Sequence, residues 1–385
     1  MKKQNILIFA ILALTFGFLF LNGGQSSAAT TSQSIIVPMY KYPNRNAPLW
    51  DTVYGAGSNK VPFTIVNPGS GPGPDPMDAN YTSTMEKLKA EGYTAIGYVH
   101  QDYARRDIHA VAADIDLWFK LQPDLKGIFI DEMASGTPEQ RCYVANLYNY
   151  IKVKHPGTLV IQNPGTYLQD EEIAKYSDIF TTFESEADKY LDENSSRWQR
   201  ISNFERDPKN SNRIYHIVHS ISSASEQEKV LELSRARNAG FIYFTGNSSQ
   251  YYRTPSPYFN EMLTAMNLPQ TQPYNGNPVP LPDGCEDVFD LKVTAQNANP
   301  ANPGNNQNQG NSGGNSAAQN QGNSANSSAG NAGGNANANA NASGKNLSAP
   351  GTGLQKNENS DLLAILAGGT LVISAGIIIF LMRKR

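Results

Sequence analysis

The stretch GIFIDE, residues 127–132, is the most informative part of the chain, because a short apolar β-run ends there in two adjacent carboxylates. A buried strand of Gly, Ile and Phe has little reason to end in two charged groups unless those groups meet water, a ligand or a metal. We therefore interpret residues 127–132 as a barrel strand whose last residues, Asp131 and Glu132, lie at an open mouth.

Seven further short runs, rich in β-branched or aromatic residues, alternate with polar or helix-like stretches, which is the pattern of repeated βα units. The predicted strands are residues 35–40, 61–66, 93–99, 127–132, 158–163, 178–184, 214–219 and 240–245. Helices are predicted over 80–91, 107–121, 138–153, 169–176, 223–238 and 256–266, whereas the first and sixth connections have no clear helical pattern. Eight such units predict an α/β fold of the (β/α)8 TIM-barrel type, occupying residues 30–290.

The N-terminus predicts export. Residues 1–29 have the three-part layout of a secretory signal peptide: two early lysines, an apolar run over 6–21, and then a group of small residues. We expect cleavage near Ala28 or Ala29. The alternative is a permanent N-terminal anchor.

The C-terminal part of the chain predicts a stalk followed by an anchor. Residues 291–346 are mostly Asn, Gly, Ala, Gln and Ser, so no core can form there and we expect a disordered, flexible stalk. Residues 362–382 are uncharged and long enough to cross a bilayer of about 30 Å as one transmembrane helix. Three basic residues then close the chain on the cytoplasmic side.

Residues 347–385 also contain a short motif upstream of the apolar span. The run Pro350-Gly351-Thr352-Gly353 resembles the cell-wall sorting signal of surface proteins, Leu-Pro-x-Thr-Gly, although Ala349 stands where that signal has Leu. Two alternatives therefore stay open: sortase processing between Thr352 and Gly353, or a retained single-span membrane anchor. Both predict a protein anchored at the cell surface, in the membrane or the cell wall.

Charge and cysteine content limit the classes of partner. The whole chain carries −3, while the two signal lysines and a net three positive charges in residues 345–385 lie outside the middle, which therefore carries −8. This balance argues against nucleic acid and favours a neutral or cationic ligand. Cys142 and Cys285 could form one disulfide in an exported protein, or remain two free thiols, and their spacing suggests no zinc site. We expect a monomer that needs no metal and no cofactor.

The residues after the carboxyl ends of the strands supply the candidate ligand contacts, because functional side chains of this fold lie there. The candidate substrate-binding residues are Tyr40, Asn67, Tyr98, Tyr103, Arg106, Asn163, His219 and Tyr243. Aromatic faces suit the apolar C–H side of a pyranose, so a sugar-stacking surface could include Tyr98, Tyr103, Tyr243, Tyr251, Tyr252 and Trp50. Arg106 is a candidate for orienting a catalytic acid, and His219 for binding a sugar hydroxyl. His216 is expected to be a hydrogen-bonded core residue.

Three acids are candidates for catalysis. Cleavage of a glycosidic bond normally needs one carboxylic acid that protonates the leaving oxygen and one carboxylate that acts as nucleophile or activates water. Asp131 and Glu184 are the predicted working pair, facing each other across a sugar-sized gap, and Glu132 would raise the pKa of one of them or orient it. Neighbouring strand residues point to opposite faces, so Asp131 and Glu132 should differ in environment. The structural alternatives are a strand-end pair near a helix cap at Thr137 and, for Glu184, a surface acid.

Five groups of residues, in register with the predicted strands, resemble the spherulin-4 family over nearly all of residues 34–268. They are the run 66–73 (VNPGSGPG), Gly97-Tyr98-Val99 with Tyr103 and Arg106, residues 127–132, Asn163-Pro164-Gly165, and Phe183-Glu184. The resemblance implies a (β/α)8 glycoside hydrolase that acts on galactosaminogalactan-type exopolysaccharide, within stretches of α-1,4-linked N-acetylgalactosamine. It also implies that Asp131, Glu132 and Glu184 are the essential acids.

Two functions from different classes follow as hypotheses. The first is a cell-surface, endo-acting glycoside hydrolase that cleaves N-acetylgalactosamine-containing exopolysaccharide, with an amino-sugar polysaccharide as its partner. The second is a polysaccharide-binding surface adhesin without turnover. A variant of the first is a hydrolase of deacetylated polygalactosamine. The substrate's own acetamido group is also an alternative nucleophile, which would leave one carboxylate to orient it.

Overall fold

A computed structural model describes residues 32–266 and 270–294 of the chain. Eight parallel strands close into a barrel in chain order, and the last strand pairs with the first. The strands are β1 (Ser34–Met39), β2 (Phe63–Val66), β3 (Thr94–His100), β4 (Gly127–Asp131), β5 (Leu159–Gln162), β6 (Ile179–Glu186), β7 (Ile214–His219) and β8 (Phe241–Phe244). The prediction of a parallel (β/α)8 barrel is therefore confirmed, and every predicted strand is present with ends shifted by at most two residues.

Helices connect the strands on the outside of the barrel. The α-helices are α1 (Pro48–Ala56), α2 (Ala79–Ala90), α3 (Ile108–Leu121), α4 (Pro138–Lys154), α5 (Ala187–Leu191), α6 (Ser196–Gln199), α7 (Asn203–Arg206), α8 (Ala224–Ala236) and α9 (Phe259–Ala265). Short 3-10 helices cover Asp102–Ala104, Glu171–Tyr176 and Pro208–Arg213. Thr137 caps α4 through a capping box with Gln140, as expected from its position.

The structure differs from the predicted helices in three connections. The first connection contains α1, which buries Leu49, Trp50 and Val53 but is only nine residues long, so its periodicity was too short to identify. The segment predicted as a helix over 169–176 is a 3-10 helix. The sixth connection holds α5, α6 and α7, each barely one turn, followed by another 3-10 helix. Such single turns have no helical period in the sequence.

The barrel core explains why the strands are continuous apolar runs. All residues of β1 and β2 are buried, as expected for parallel strands covered on both faces. Gly97 of β3 leaves room for α3, because a Cβ atom there would lie 2.7 Å from the Trp118 ring. Trp118 in turn donates its indole N–H to the carbonyl of Tyr98, at 2.8 Å. The glycine therefore sets the distance between this helix and the sheet.

Residues 270–294, here called the C-terminal strap, lie along α4. Cys142 of α4 and Cys285 of the strap form a disulfide, which confirms the paired alternative. Asn149 of α4 donates to the carbonyl of Val279 at 2.7 Å and accepts from its N–H at 2.9 Å. Asn146 donates to the carbonyl of Glu286 at 2.9 Å. The strap is thus bound by side chains that satisfy its backbone groups as a neighbouring strand would.

A buried ion pair lies where the strap begins. Lys152 Nζ is 2.6 Å from Asp178 Oδ2, and the two side chains are 1% and 0% exposed. The strap completes their coordination, because Asn275 accepts a hydrogen bond from Lys152 at 2.7 Å and the Gly276 N–H donates to Asp178 at 2.8 Å. A buried ion pair is costly to leave half-satisfied, so the barrel and the strap depend on each other here.

The predicted signal peptide, most of the predicted stalk, the sorting-like motif and the predicted membrane span lie outside the described residues. Between residues 32 and 266 and between 270 and 294, no helix is long and apolar enough to cross a bilayer. The proposed division of the chain outside the barrel stays a prediction.

Removing the disulfide should destabilise the protein without changing its fold. The double variant Cys142→Ser, Cys285→Ser opens a loop whose ends are 143 residues apart. We expect it to lose about 2–4 kcal/mol of unfolding free energy, because the unfolded chain is no longer cross-linked. Thermal unfolding followed by circular dichroism, with and without dithiothreitol, measures this. The reductant should lower the midpoint of the wild type and leave the double variant unchanged; a wild type insensitive to reduction would contradict the prediction.

Candidate active site

The three predicted acids all lie at the carboxyl ends of their strands. Asp131 is the last residue of β4 and pairs in register with His100 of β3. Glu132 follows with φ 58°, in the left-handed region, so the strand has ended and the two side chains leave it in different directions. The two neighbouring acids therefore have different surroundings, as predicted, but the cause is this backbone turn, because β4 ends before Glu132.

Glu184 reaches the same rim from β6. A register shift between Thr181 and Phe183 inserts one extra residue in this strand relative to β7, which changes the face that its last residues present. The backbone N–H of Glu184 donates to the carbonyl of Gly165 at 3.2 Å, which ties the end of β6 to the loop after β5. The main chain of Glu184 is therefore fixed independently of the contacts that its carboxyl makes.

Asn163, the first residue after β5, bridges the two acids. Its amide nitrogen donates to Asp131 Oδ1 at 2.7 Å and to Glu184 Oε2 at 2.6 Å. Its amide oxygen accepts from the N–H of Gly165 at 2.8 Å, and this bond fixes which end of the amide faces the acids. Gly165 has φ 64°, a conformation that suits glycine.

The bridge sets the separation of the acids. Because one nitrogen contacts both, Asp131 Oδ1 and Glu184 Oε2 are at most about 5.3 Å apart, the sum of the two bond lengths. The sequence predicts a sugar-sized gap between the two residues, whereas the structure places a single amide group between Asp131 Oδ1 and Glu184 Oε2. A sugar would therefore bind above the two acids rather than between these two oxygens.

Tyrosines occupy the other oxygen of each acid. The Tyr98 hydroxyl donates to Asp131 Oδ2 at 2.7 Å, and the Tyr252 hydroxyl donates to Glu184 Oε1. The ring of Tyr40 lies edge-on to both tyrosines, with centroids 5.4 Å from that of Tyr98 and 5.1 Å from that of Tyr252. Each acid is thus held between the shared amide and a hydroxyl of its own.

Burial raises the pKa of both Asp131 and Glu184. Burial, and then the charge of Asp131, raises the pKa of Glu184 to about 7, although hydrogen bonds from Tyr252 and Asn163 act in the opposite direction. Burial also raises the pKa of Asp131, opposed by donors from Tyr98, the Glu132 N–H and Asn163. Asp131 has one more donor for its ionised form, so we assign it the carboxylate and Glu184 the proton when one proton is shared.

Glu132 has a more open position. Its side chain is 38% exposed, and its Oε2 lies 3.4 Å from Nδ1 of His100. Its backbone N–H donates to Asp131 Oδ1 at 2.9 Å, and its charge contributes to the raised pKa of Asp131 after the larger effect of burial. The expectation that Glu132 acts on one member of the pair is consistent with this arrangement.

The other candidate contacts fall into two groups, of which the first lines the rim. Tyr40 and Tyr98 pack around the acids, Tyr103 has an exposed side chain (49%), and the buried Asn67 Oδ1 has no hydrogen-bond partner within the described ranges. Tyr103 is held by its N–H, which donates to the carbonyl of Glu132 at 2.8 Å. A bound ligand could contact these groups.

The second group is engaged elsewhere. Arg106 pairs with Asp114 at 2.8 Å and donates to the carbonyl of His100, so it does not take the acid-orienting position expected for it. Tyr243 is fully buried and Trp50 is 3% exposed, so neither offers a ring face to a sugar, and the predicted stacking surface is wrong for these two. His219 stacks on Tyr251 with centroids 4.0 Å apart.

His216 is a core residue, as expected. It is 1% exposed, and its ring nitrogens contact the Tyr190 hydroxyl at 2.8 Å and the Thr182 hydroxyl at 3.2 Å. Across the two described ranges, no group of three or more His, Cys, Asp or Glu side chains is arranged to hold a metal ion.

Two contacts were missed at the sequence level. Tyr252 lies in the loop after β8, and the sequence predicts only a stacking role for its ring, whereas its hydroxyl contacts Glu184. His100, the last residue of β3, is the second, because it contacts Glu132. A histidine that ends the strand beside an Asp-Glu pair is a usable signal, while nothing local to Tyr252 indicates its contact.

The chain is similar to known proteins across the barrel. The profile of Spherulin4, the spherulation-specific family 4, matches residues 34–266. Spherulin-4 of Physarum polycephalum is 34% identical over 250 residues, which cover 62% of this chain and 72% of that protein. The crystal structure of Aspergillus clavatus Sph3 in complex with GalNAc superposes with a TM-score of 0.53 at 25% identity, covering 63% of this chain and 99% of that one.

The raised pKa of Glu184 predicts a stability change that does not depend on any substrate. An unfolded glutamate titrates near pH 4.3, so folding favours the protonated form, and this contribution is lost as the pH rises through about 7. Glu184→Gln should therefore be more stable than the wild type at pH 8, on the order of 2 kcal/mol, and nearly equal to it at pH 4.

Glu186, two residues later on β6, is the matched control. Hydrogen bonds from Lys189 and Ser185 lower the pKa of Glu186 to about 2, so Glu186→Gln should bring no gain at pH 8. Chemical denaturation at both pH values measures the two variants. A Glu184→Gln protein that is less stable than the wild type at pH 8 would show that the carboxyl is not desolvated.

Proposed function

Because the chain belongs to the spherulation-specific family 4, we propose that it is a glycoside hydrolase that cleaves within N-acetylgalactosamine-containing, galactosaminogalactan-type exopolysaccharide. The observation that carries the proposal is the pair of Asp131 and Glu184, two desolvated carboxyls joined by one amide at the mouth of the barrel. The GalNAc bound in the related Sph3 structure supports an amino sugar as the ligand class.

The environments of the two acids support a division of roles. Glu184, with a pKa near 7, would hold a proton at neutral pH and donate it to the glycosidic oxygen. The bond from that oxygen to the anomeric carbon breaks, its electron pair stays on the leaving oxygen, and an oxygen of Asp131 bonds to the anomeric carbon. Water then attacks the anomeric carbon, Glu184 takes a proton from the water, and Asp131 leaves as a carboxylate.

The short separation of the acids supports this two-step route. In inverting enzymes the carboxyls are about 6.5–9.5 Å apart and leave room for a water, whereas retaining enzymes bring them to about 5–5.5 Å. Asp131 Oδ1 and Glu184 Oε2 are at most about 5.3 Å apart, which is shorter than the separation in the inverting class. We therefore propose retention of the anomeric configuration.

The linkage also bears on the nucleophile. In an α-linked N-acetylgalactosamine the acetamido group and the leaving oxygen lie on the same side of the ring, so the acetamido oxygen cannot attack from behind the breaking bond. For the α-1,4 linkage that the family resemblance implies, the attacking group has to come from the protein. Asp131, with hydrogen-bond donors on both oxygens, meets that need.

Substitution of either acid should abolish turnover and keep the fold. We expect Asp131→Asn and Glu184→Gln to lower kcat/KM by at least about a thousandfold, because each removes a group required in the transition state. Mass spectrometry of oligosaccharides released from purified galactosaminogalactan-type polymer measures this. Glu172→Gln, whose side chain is 71% exposed on a 3-10 helix, is the matched control and should retain full activity.

The same experiment separates the alternatives. Polymer that binds to the wild type but stays intact would favour the surface adhesin. Oligomers released only from deacetylated polymer would favour the polygalactosamine hydrolase, which the excess of acidic residues in the middle of the chain also permits. Unchanged rates in either acid variant would remove that residue from the mechanism.

We further propose that the protein works at the cell surface, on the grounds of the signal-like N-terminus, the stalk-like composition and the apolar C-terminal stretch. Cell fractionation, with protease shaving of intact cells, should place the barrel outside the membrane. Thr352→Ala distinguishes sortase processing from a retained membrane anchor, because it should block release from the membrane only if a sortase acts there. A barrel found in the cytosolic fraction would contradict the proposal.

A further inference from the structure

We infer that Tyr252 is a positioning residue for the proton donor, and that its hydroxyl makes Oε1 of Glu184 the oxygen that carries and releases the acid proton. The inference rests on the proposed function and deepens it, since it assigns the proton to one atom. Tyr252 itself touches neither bond that breaks; it acts through Glu184.

Oε2 of Glu184 is not the oxygen that carries the proton. Oε2 accepts from the amide nitrogen of Asn163 at 2.6 Å, and an amide nitrogen can donate but cannot accept. The Gly165 N–H bound to Asn163 Oδ1 prevents the amide from turning over, because its oxygen is already held by a donor. A proton on Oε2 would meet this N–H head-on. The proton of neutral Glu184 therefore belongs on Oε1.

The partner of Oε1 is the Tyr252 hydroxyl. The Tyr252 hydroxyl contacts this oxygen, and a hydroxyl can both donate and accept. It can rotate away from the proton while Glu184 is neutral and donate to the carboxylate once the proton has moved to the glycosidic oxygen. The bond therefore strengthens as charge develops, which is the condition for lowering a barrier.

The hydroxyl of Tyr252 is held in place by its surroundings. The backbone carbonyl of Tyr252 accepts from the N–H of Tyr40 at 2.9 Å, which fixes the loop after β8 against the end of β1. Its ring packs edge-on against Tyr40, and the rings of Tyr243 and Tyr251 lie 6.2 Å and 5.9 Å away. The hydroxyl can thus rotate about its own bond while the ring stays still.

Tyr98 gives an internal comparison, because it makes the equivalent contact to Asp131 Oδ2. Loss of either hydroxyl removes a donor from one carboxylate and should raise the pKa of that acid. The consequences for activity differ, because Asp131 must be ionised and Glu184 protonated. Tyr98→Phe acts on the acidic limb of the pH profile, and Tyr252→Phe acts on the alkaline limb.

Other titratable groups also face Glu184 and are unchanged in Tyr252→Phe. They are Tyr40 just after β1, Tyr98 of β3, Asp131 of β4, Tyr215 of β7 and Tyr103 of the loop after β3. All are carboxyls or tyrosines. The tyrosines stay neutral over the measured range, because burial raises the pKa of each.

The test is the pH dependence of kcat/KM on galactosaminogalactan-type polymer for the wild type, Tyr252→Phe and Tyr98→Phe. Loss of a hydrogen bond to a charged group predicts a shift of about one pH unit and an activity about tenfold lower at the wild-type optimum. We expect the alkaline limb of Tyr252→Phe to move up with its acidic limb unchanged, and the acidic limb of Tyr98→Phe to move up.

A second variant keeps the hydroxyl and the fold. Incorporation of 3-fluorotyrosine at position 252 makes the phenol a stronger donor and should move the alkaline limb down. Tyr258→Phe, which removes a hydroxyl bonded to the Ser222 carbonyl, is the matched control and should leave both limbs in place. If Tyr252→Phe leaves the alkaline limb where it is, or moves the acidic limb instead, the inference is wrong.

Failure of the proposed function is distinguishable from failure of this inference. The carboxyl of Glu184 can be titrated without substrate by 13C NMR of glutamate-labelled protein, with Glu184→Gln assigning the signal. A wild type without turnover refutes the proposed hydrolase, yet the titration still tests Tyr252. An unchanged titration in Tyr252→Phe would overturn the inference even if the wild type is active.

Discussion

One side-chain amide, that of Asn163, holds the active-site arrangement together. It donates to Asp131 and to Glu184 at once, and it can do so only because the N–H of Gly165 holds its oxygen. Gly165 also accepts the backbone N–H of Glu184, so a single loop after β5 fixes both the bridge and one of the bridged acids. Without this loop, two carboxyls this close would repel each other and separate.

The barrel shields the carboxyls of Asp131 and Glu184 from water, which the Asn163 amide alone does not do. Asp131 ends β4 and Glu184 lies near the end of β6, on either side of β5. Buried tyrosines surround both acids, so their ionised forms lose contact with water. The cost of that burial is recovered by the rest of the fold, in the continuous apolar strands and in the strap fastened along α4. The strap begins beyond residues 34–266, which the family profile matches.

The sequence was sufficient for features that are local. The run 127–132 and the run that ends in Glu184 each show an apolar strand closing on an acid, and both acids lie where the barrel topology requires. The disulfide could be predicted as one of two alternatives, because the chain contains only two cysteines. Contacts between residues far apart in the sequence could not be predicted. The contact of Tyr252 with Glu184, for example, joins residues 68 positions apart. The engagement of Arg106 by Asp114 likewise depends on side-chain geometry, which no spacing rule gives.

In the proposed mechanism, Asp131 attacks the sugar while Glu184 moves the proton. The most direct measurement is peptide mapping by mass spectrometry after reaction with a slow, ring-fluorinated N-acetylgalactosaminide, whose covalent intermediate would accumulate. We predict one sugar attached to Asp131 in the wild type. A sugar attached to Glu132 or Glu184, or turnover with inverted product and no adduct, would contradict this mechanism.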